Sequence, residues 1–111
     1  MNKTVLIIDD EQDFCLIMKN YFIKKGYNVH LAYSLSTGLN LLQETCPDIL
    51  FLDNNLPDGN GWDSVDHIVE NFPQLFTYMV SAYRNNSPGN NSSNIRVWEK
   101  PISLEMLNRI F

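Results

Sequence analysis

The sequence predicts an α/β fold built on a doubly wound parallel sheet. Three observations carry that prediction. Five short apolar runs alternate with segments of helical spacing. Two of the runs are apolar throughout, as strands covered on both faces must be. Each gap between runs, except one polar stretch, has the length and period of a crossover helix.

The elements follow in order. "TVLII" (4–8) is a continuous apolar strand. From 11 to 25, Phe14, Ile17, Met18, Tyr21 and Phe22 recur at helical spacing, and Gly26 ends the helix. "YNVHLAY" (27–33) alternates, with Val29 and Leu31 on one face. Ser34 reads as the N-cap of a helix carrying Leu35, Leu39, Leu42 and Cys46, which Pro47 stops. "ILFL" (49–52) is again apolar throughout and runs into Asp53 and a loop rich in Asn, Pro and Gly. Trp62, Val65, Ile68 and Val69 mark a third helix, ended near Pro73. "LFTYMVSA" (75–82) and "IRVW" (95–98) are the fourth and fifth strands. A last helix (103–111) opens on Ser103 and sets Leu104, Leu107, Ile110 and Phe111 on one stripe.

Strands one and three, apolar on both faces, belong in the middle. Strand two alternates, and strand five carries Arg96 and Glu99, so these are edges. The flavodoxin-like order 2-1-3-4-5 satisfies both constraints. The stretch "RNNSPGNNSSN" (84–94) stands where a fourth helix is due. It has no aliphatic or aromatic side chain to hold a helix on the sheet. We therefore expect that helix to be degenerate or missing. Strands four and five would then show apolar side chains to solvent, from among Tyr78, Val80, Ile95 and Val97. That exposed face, with the 84–94 loop, would be a regulated surface for a partner or a second copy in a homodimer.

Composition narrows the function. The 111 residues, read as one domain spanning 1–111, are 44% hydrophobic and carry a net charge of −5. The eight basic residues form no run, which argues against direct nucleic-acid binding by this domain. No apolar stretch is long enough to span a bilayer, and the N-terminal run is too short for a signal sequence. Cys15 and Cys46 lie in helix-like segments and read as reduced core residues of a cytoplasmic protein. His30 and His67 lack metal-ligand partners nearby and read as structural.

The chemistry sits at the strand ends. In open α/β sheets, sites form outside the carboxyl ends of the strands, where strand order reverses. Here that point lies between strand one, ending in Asp9-Asp10, and strand three, ending in Asp53. Three converging carboxylates need neutralisation, and Mg²⁺ suits such oxygen ligands together with waters and a phosphate oxygen. Strand four supplies the hydroxyl of Ser81, and strand five is followed by Lys100-Pro101. The inventory is that of a phosphoryl-transfer site with a carboxylate nucleophile.

At these residues the sequence resembles the response regulator receiver domain of two-component signalling, over nearly the whole chain. "LIIDDE", "LFLDNNLPDGNGWD", "VSA" and "EKP" match its four motifs in order. The resemblance implies Asp53 as phosphoacceptor. It implies Asp10, Asp53 and the Asn55 backbone carbonyl as Mg²⁺ ligands, with Asp9 acting through water. Ser81 would engage the phosphoryl group and Lys100 would be its ion-pair partner. A sensor histidine kinase or histidine phosphotransfer protein would be the donor, and the domain would catalyse only its own phosphorylation and dephosphorylation. The family usually carries an aromatic residue three positions before the lysine; here that position is Val97, with Trp98 beside it, read as core packing with a switch role as the alternative.

Other classes fit less well. A haloacid-dehalogenase-like phosphatase needs a second Asp two residues after the nucleophile, where Asn55 stands. A dinucleotide-binding module needs glycines where "DDEQD" would repel a pyrophosphate. The remaining alternative is a receiver-shaped interaction module that binds a partner without phosphorylation.

Overall fold

A computed structural model describes residues 2–82 and 94–111. Five parallel strands form one sheet: β1 (Thr4–Ile8), β2 (Asn28–Ala32), β3 (Ile49–Asp53), β6 (Phe76–Ser81) and β7 (Ile95–Glu99). Their order is β2-β1-β3-β6-β7, as the strand patterns require. Two short strands, β4 (Asn55–Leu56) and β5 (Gly59–Asn60), pair as a small hairpin in the loop after β3. Among the described residues there are four α-helices: α1 (Gln12–Lys24), α2 (Leu35–Thr45), α3 (Val65–Asn71) and α4 (Leu104–Ile110). None is long and apolar enough to cross a membrane. The expected degeneracy of a helix between the fourth and fifth main strands falls almost wholly outside the described residues.

Local chemistry explains the boundaries. Ser34 caps α2 by accepting from the Thr37 N–H, and Ser103 caps α4 by accepting from the Met106 N–H. Gly26, at φ +88°, turns the chain out of α1, where a residue with a side chain would be strained. Cys46 takes the left-handed position after α2 and is exposed, so it is not the core residue the helical spacing predicts. The chain must leave the helix before Pro47, and that departure turns the thiol outward. Cys15 is buried as expected, and both thiols are free.

Alternation along the strands sorts side chains into two layers. Leu6, Ile8, Leu50, Leu52, Met79 and Ile95 pack with α2 and α3. Val5, Ile7, Phe51, Tyr78, Val80 and Trp98 pack with α1 and α4. This corrects the expected exposed face on strands four and five. Tyr78 and Val80 are buried because their register turns them toward α1 and α4, away from any uncovered side. Ile95 is buried and Val97 partly buried on the opposite layer. Trp98 lies at ring-centroid distances of 5.0 Å from Tyr78 and 5.9 Å from Phe51, in the core as expected. Val97 and Trp98 point to opposite faces, so Trp98 cannot substitute for an aromatic side chain at 97. The stripe of α4 is narrower than its spacing suggests. Leu107 is buried and Phe111 packs beside it, while Leu104 and Ile110 face outward at 55% and 51% exposure.

Candidate functional site

The register of the central strands brings the expected residues to one end of the sheet. Asp9 follows β1, Asp53 is the last residue of β3, Ser81 the last of β6, and Lys100 follows β7. One ligand oxygen from each of Asp9, Asp10 and Asp53 can be chosen so that all lie within 4.8 Å of one another. Asp9 and Asp53 are buried, and Asp10 is exposed.

Lys100 enters this cluster from the far side. Its ammonium lies 2.9 Å from Asp9 Oδ2, 2.8 Å from Glu11 Oε1 and 3.7 Å from Asp53 Oδ1. The ring of Phe14 lies beneath it, 5.0 Å from Nζ to centroid, where a cation is attracted by the ring face. The Lys100 backbone N–H donates to Ser81 O at 2.8 Å, extending the β6–β7 ladder by one residue. The Lys100–Pro101 peptide bond is cis.

Burial decides the electrostatics. It raises the Asp53 pKa to about 6, and the neighbouring Asp9 charge pushes the same way; the Lys100 ammonium and the Asn55 backbone N–H oppose it. Burial raises Asp9 as well, against the Glu11 N–H and Lys100. The Lys100 ammonium is held above its ordinary value, because its pairing with the Glu11 and Asp9 carboxylates outweighs its desolvation. Cys15 donates its thiol proton to Asp9 O at 3.3 Å, and burial pushes its pKa to about 12, so it is no nucleophile.

The oxygen set suits a hard divalent cation. Asp9 Oδ2 is fully buried with no aligned hydrogen bond, its close contact being the Lys100 ammonium. Among the described residues one ammonium faces the three clustered carboxylates and Glu11, so with these ionised the pocket is anionic and favours a further cation. These residues fit Mg²⁺.

Ser81 is buried at the end of β6, next to Val80, the register partner of Asp53. Asn55 begins the β4 strand of the hairpin two residues beyond Asp53.

Several residues that shape the site carry no clear signal in the chain. Asn54 is buried; its side-chain oxygen accepts from the Trp62 N–H at 3.2 Å, and its backbone oxygen from Gly61 at 3.0 Å. Together they fold the loop back under Asp53. A Cβ on Gly61 would collide with the Asp53 carbonyl oxygen, so only glycine fits there. Asp58 reaches across to α2 and accepts from the N–H groups of Leu35 at 2.6 Å and Ser36 at 2.9 Å. Those bonds at a helix N-terminus lower its pKa. Between Pro57 and Gly59 in the sequence it reads only as a turn residue. Glu11 is the third acid of "DDE" and reads as helix N-terminal charge, yet it grips Lys100.

Comparison with known proteins agrees with this geometry. The model of the response regulator receiver domain matches residues 5–108. A curated relative, the photosynthetic apparatus regulatory protein RegA of Rhodobacter capsulatus, is 26% identical over 82 residues. That match covers 74% of this chain but only 45% of the relative, so the chain spans less than half of its length. Among solved structures, a CheY-like receiver domain protein from Methanospirillum hungatei superposes with a TM-score of 0.88 at 23% identity, covering 99% of this chain and 91% of that one. A two-component response regulator from Clostridium difficile gives 0.86 at 26% identity, with coverages of 97% and 91%. Response regulator protein TrrA from Thermotoga maritima, solved in complex with Mg²⁺-BeF, gives 0.83 at 19% identity, with coverages of 96% and 94%. With the family model matched across both the acidic strand ends and the lysine, the chain belongs to the response regulator receiver domains of two-component signalling systems.

Proposed function

We propose that residues 1–111 act as one phosphoacceptor unit, taking a phosphoryl group onto Asp53 from a phosphohistidine donor and changing a partner-binding surface in response. The observation that carries this reading is the placement of a lysine ammonium among three clustered carboxylates at the reversal point of the strand order. In this reading Asp10, Asp53 and the Asn55 backbone carbonyl hold Mg²⁺, with Asp9 acting through a water. When bound, the ion neutralises charge on the transferring phosphoryl oxygens.

An Asp53 carboxylate oxygen attacks phosphorus, and the bond from phosphorus to the donor imidazole breaks, its electron pair returning to nitrogen. Ser81 donates its hydroxyl to one phosphoryl oxygen and Lys100 pairs with another. Hydrolysis adds water to phosphorus and returns the Asp53 carboxylate with inorganic phosphate. The donor is a sensor histidine kinase or a histidine phosphotransfer protein, acting in the cytoplasm. Acetyl phosphate with Mg²⁺ should add one phosphoryl group to the wild type and none to Asp53→Asn. Equal labelling of the variant would remove Asp53 from its role. Absence of labelling in the wild type would favour a module that binds partners without phosphate.

A further inference from the structure

Glu11 occupies the N-cap position of α1, yet its side chain makes no capping hydrogen bond. Its backbone N–H donates to Asp9 Oδ1 at 2.9 Å, and its carboxylate turns to Lys100. Direct N⁺–H···O⁻ bonds are about 2.7–2.9 Å long. Lys100 meets that measure as a hydrogen bond to Glu11 at 2.8 Å, forms a close but unaligned ion pair with Asp9 at 2.9 Å, and stops short of Asp53 at 3.7 Å. The ammonium is held on the β1 side of the site.

The two grips differ in strength. Asp9 is buried, while the Glu11 side chain is 62% exposed. An ion pair with one partner in solvent is weak and easily exchanged. A phosphoryl group on Asp53 would bring strongly accepting anionic oxygens to the side that Lys100 now misses. The ammonium has three donors, so it can keep Asp9 and trade Glu11 for phosphate.

We propose that Glu11 is a positioning residue that restrains the Lys100 ammonium while Asp53 is bare and releases it to the phosphoryl group. This rests on the reading of Asp53 as phosphoacceptor. Because Glu11 stabilises only the unmodified geometry, it works against the modified one. Weakening its grip favours the state in which Lys100 binds phosphate.

The test is the affinity for beryllofluoride, a phosphoryl mimic, at saturating Mg²⁺, followed by amide chemical shifts in the intact chain. Glu11→Gln and Glu11→Asp should both bind about two- to fivefold tighter than wild type, the range a surface ion pair spans. Glu11→Asp keeps the charge and shortens the reach by one methylene. If it matches wild type while Glu11→Gln gains, the carboxylate acts by charge alone and the proposal falls. In a Lys100→Ala background Glu11→Gln should change nothing; an undiminished gain there would also overturn it. If wild type binds and neither single variant differs from it, only the role of Glu11 fails. If wild type binds no beryllofluoride, the phosphoacceptor reading fails, and this proposal with it.

Discussion

The face of the sheet beneath α1 and α4 and the carboxyl end of its strands use burial in opposite ways. On the face, Phe51 lies within about 6 Å, ring centroid to centroid, of Phe22, Tyr78, Trp98 and Phe111. These rings bury apolar area and fill it with edge and stacked contacts, which is favourable twice over. At the strand ends, a few residues away along the same strands, Asp9 and Asp53 are buried beside each other. There burial raises both carboxyl pKa values and costs stability. The lesson is that the aromatic face supplies stability that the acidic end spends. A strand can end on a strained carboxylate because its other residues are anchored.

That contrast can be broken at its strongest point. Phe51→Ala should cost about 4 kcal/mol of unfolding free energy, the usual loss for a buried ring. Denaturant titration would measure it. A loss below about 1 kcal/mol would mean that the ring cluster is not the anchor described.

The acidic end should respond with the opposite sign. Asp53→Asn removes a charge that burial disfavours, so it should stabilise the metal-free chain at pH 7 by about 3 kcal/mol. The same variant should lose all acetyl phosphate labelling. Destabilisation at pH 7 would contradict the assignment of strain to this residue.

The pH dependence sharpens the comparison further. The Asp53 carboxyl protonates at about 6 in the folded chain, against an ordinary value of 3.8. Between those two values the folded state holds the proton and the unfolded state does not. Stability should therefore fall by about 2 kcal/mol as pH rises from near 4 through 6, then level off. Thermal melts in chelator across that window should show this in wild type, and a flatter profile in Asp53→Asn. A wild-type profile that rises from pH 4 to 6 would reverse the sign and refute the buried-charge account.

The smallest effect belongs to the cover of the aromatic face. Ser103→Ala removes the cap of α4, whose Leu107 packs on that face. A loss of about 1 kcal/mol is expected, with metal and beryllofluoride affinity unchanged. A loss of affinity comparable to the loss of stability would show that the two regions are not independent.

Much of this molecule is written along the chain. Uninterrupted apolar runs at 4–8 and 49–52 put β1 and β3 at the centre, and the polar residues of β2 and β7 put them at the edges. Asp9, Asp53, Ser81 and Lys100 are legible because each stands at the end of such a run, and a parallel sheet aligns those ends. Pattern reports burial and period, and both are local. It does not report which long side chain reaches which partner across a crossover. Register, not spacing, turns Tyr78 and Val80 toward α1 and α4 and buries them. Chain direction after α2 exposes Cys46, although helical period places it inside. Asp58 meets α2 across 23 residues of sequence, and Glu11 meets Lys100 across 89. Such contacts are set by the packing of elements distant in sequence, so only the tertiary structure could decide that an acid beside the site holds its lysine.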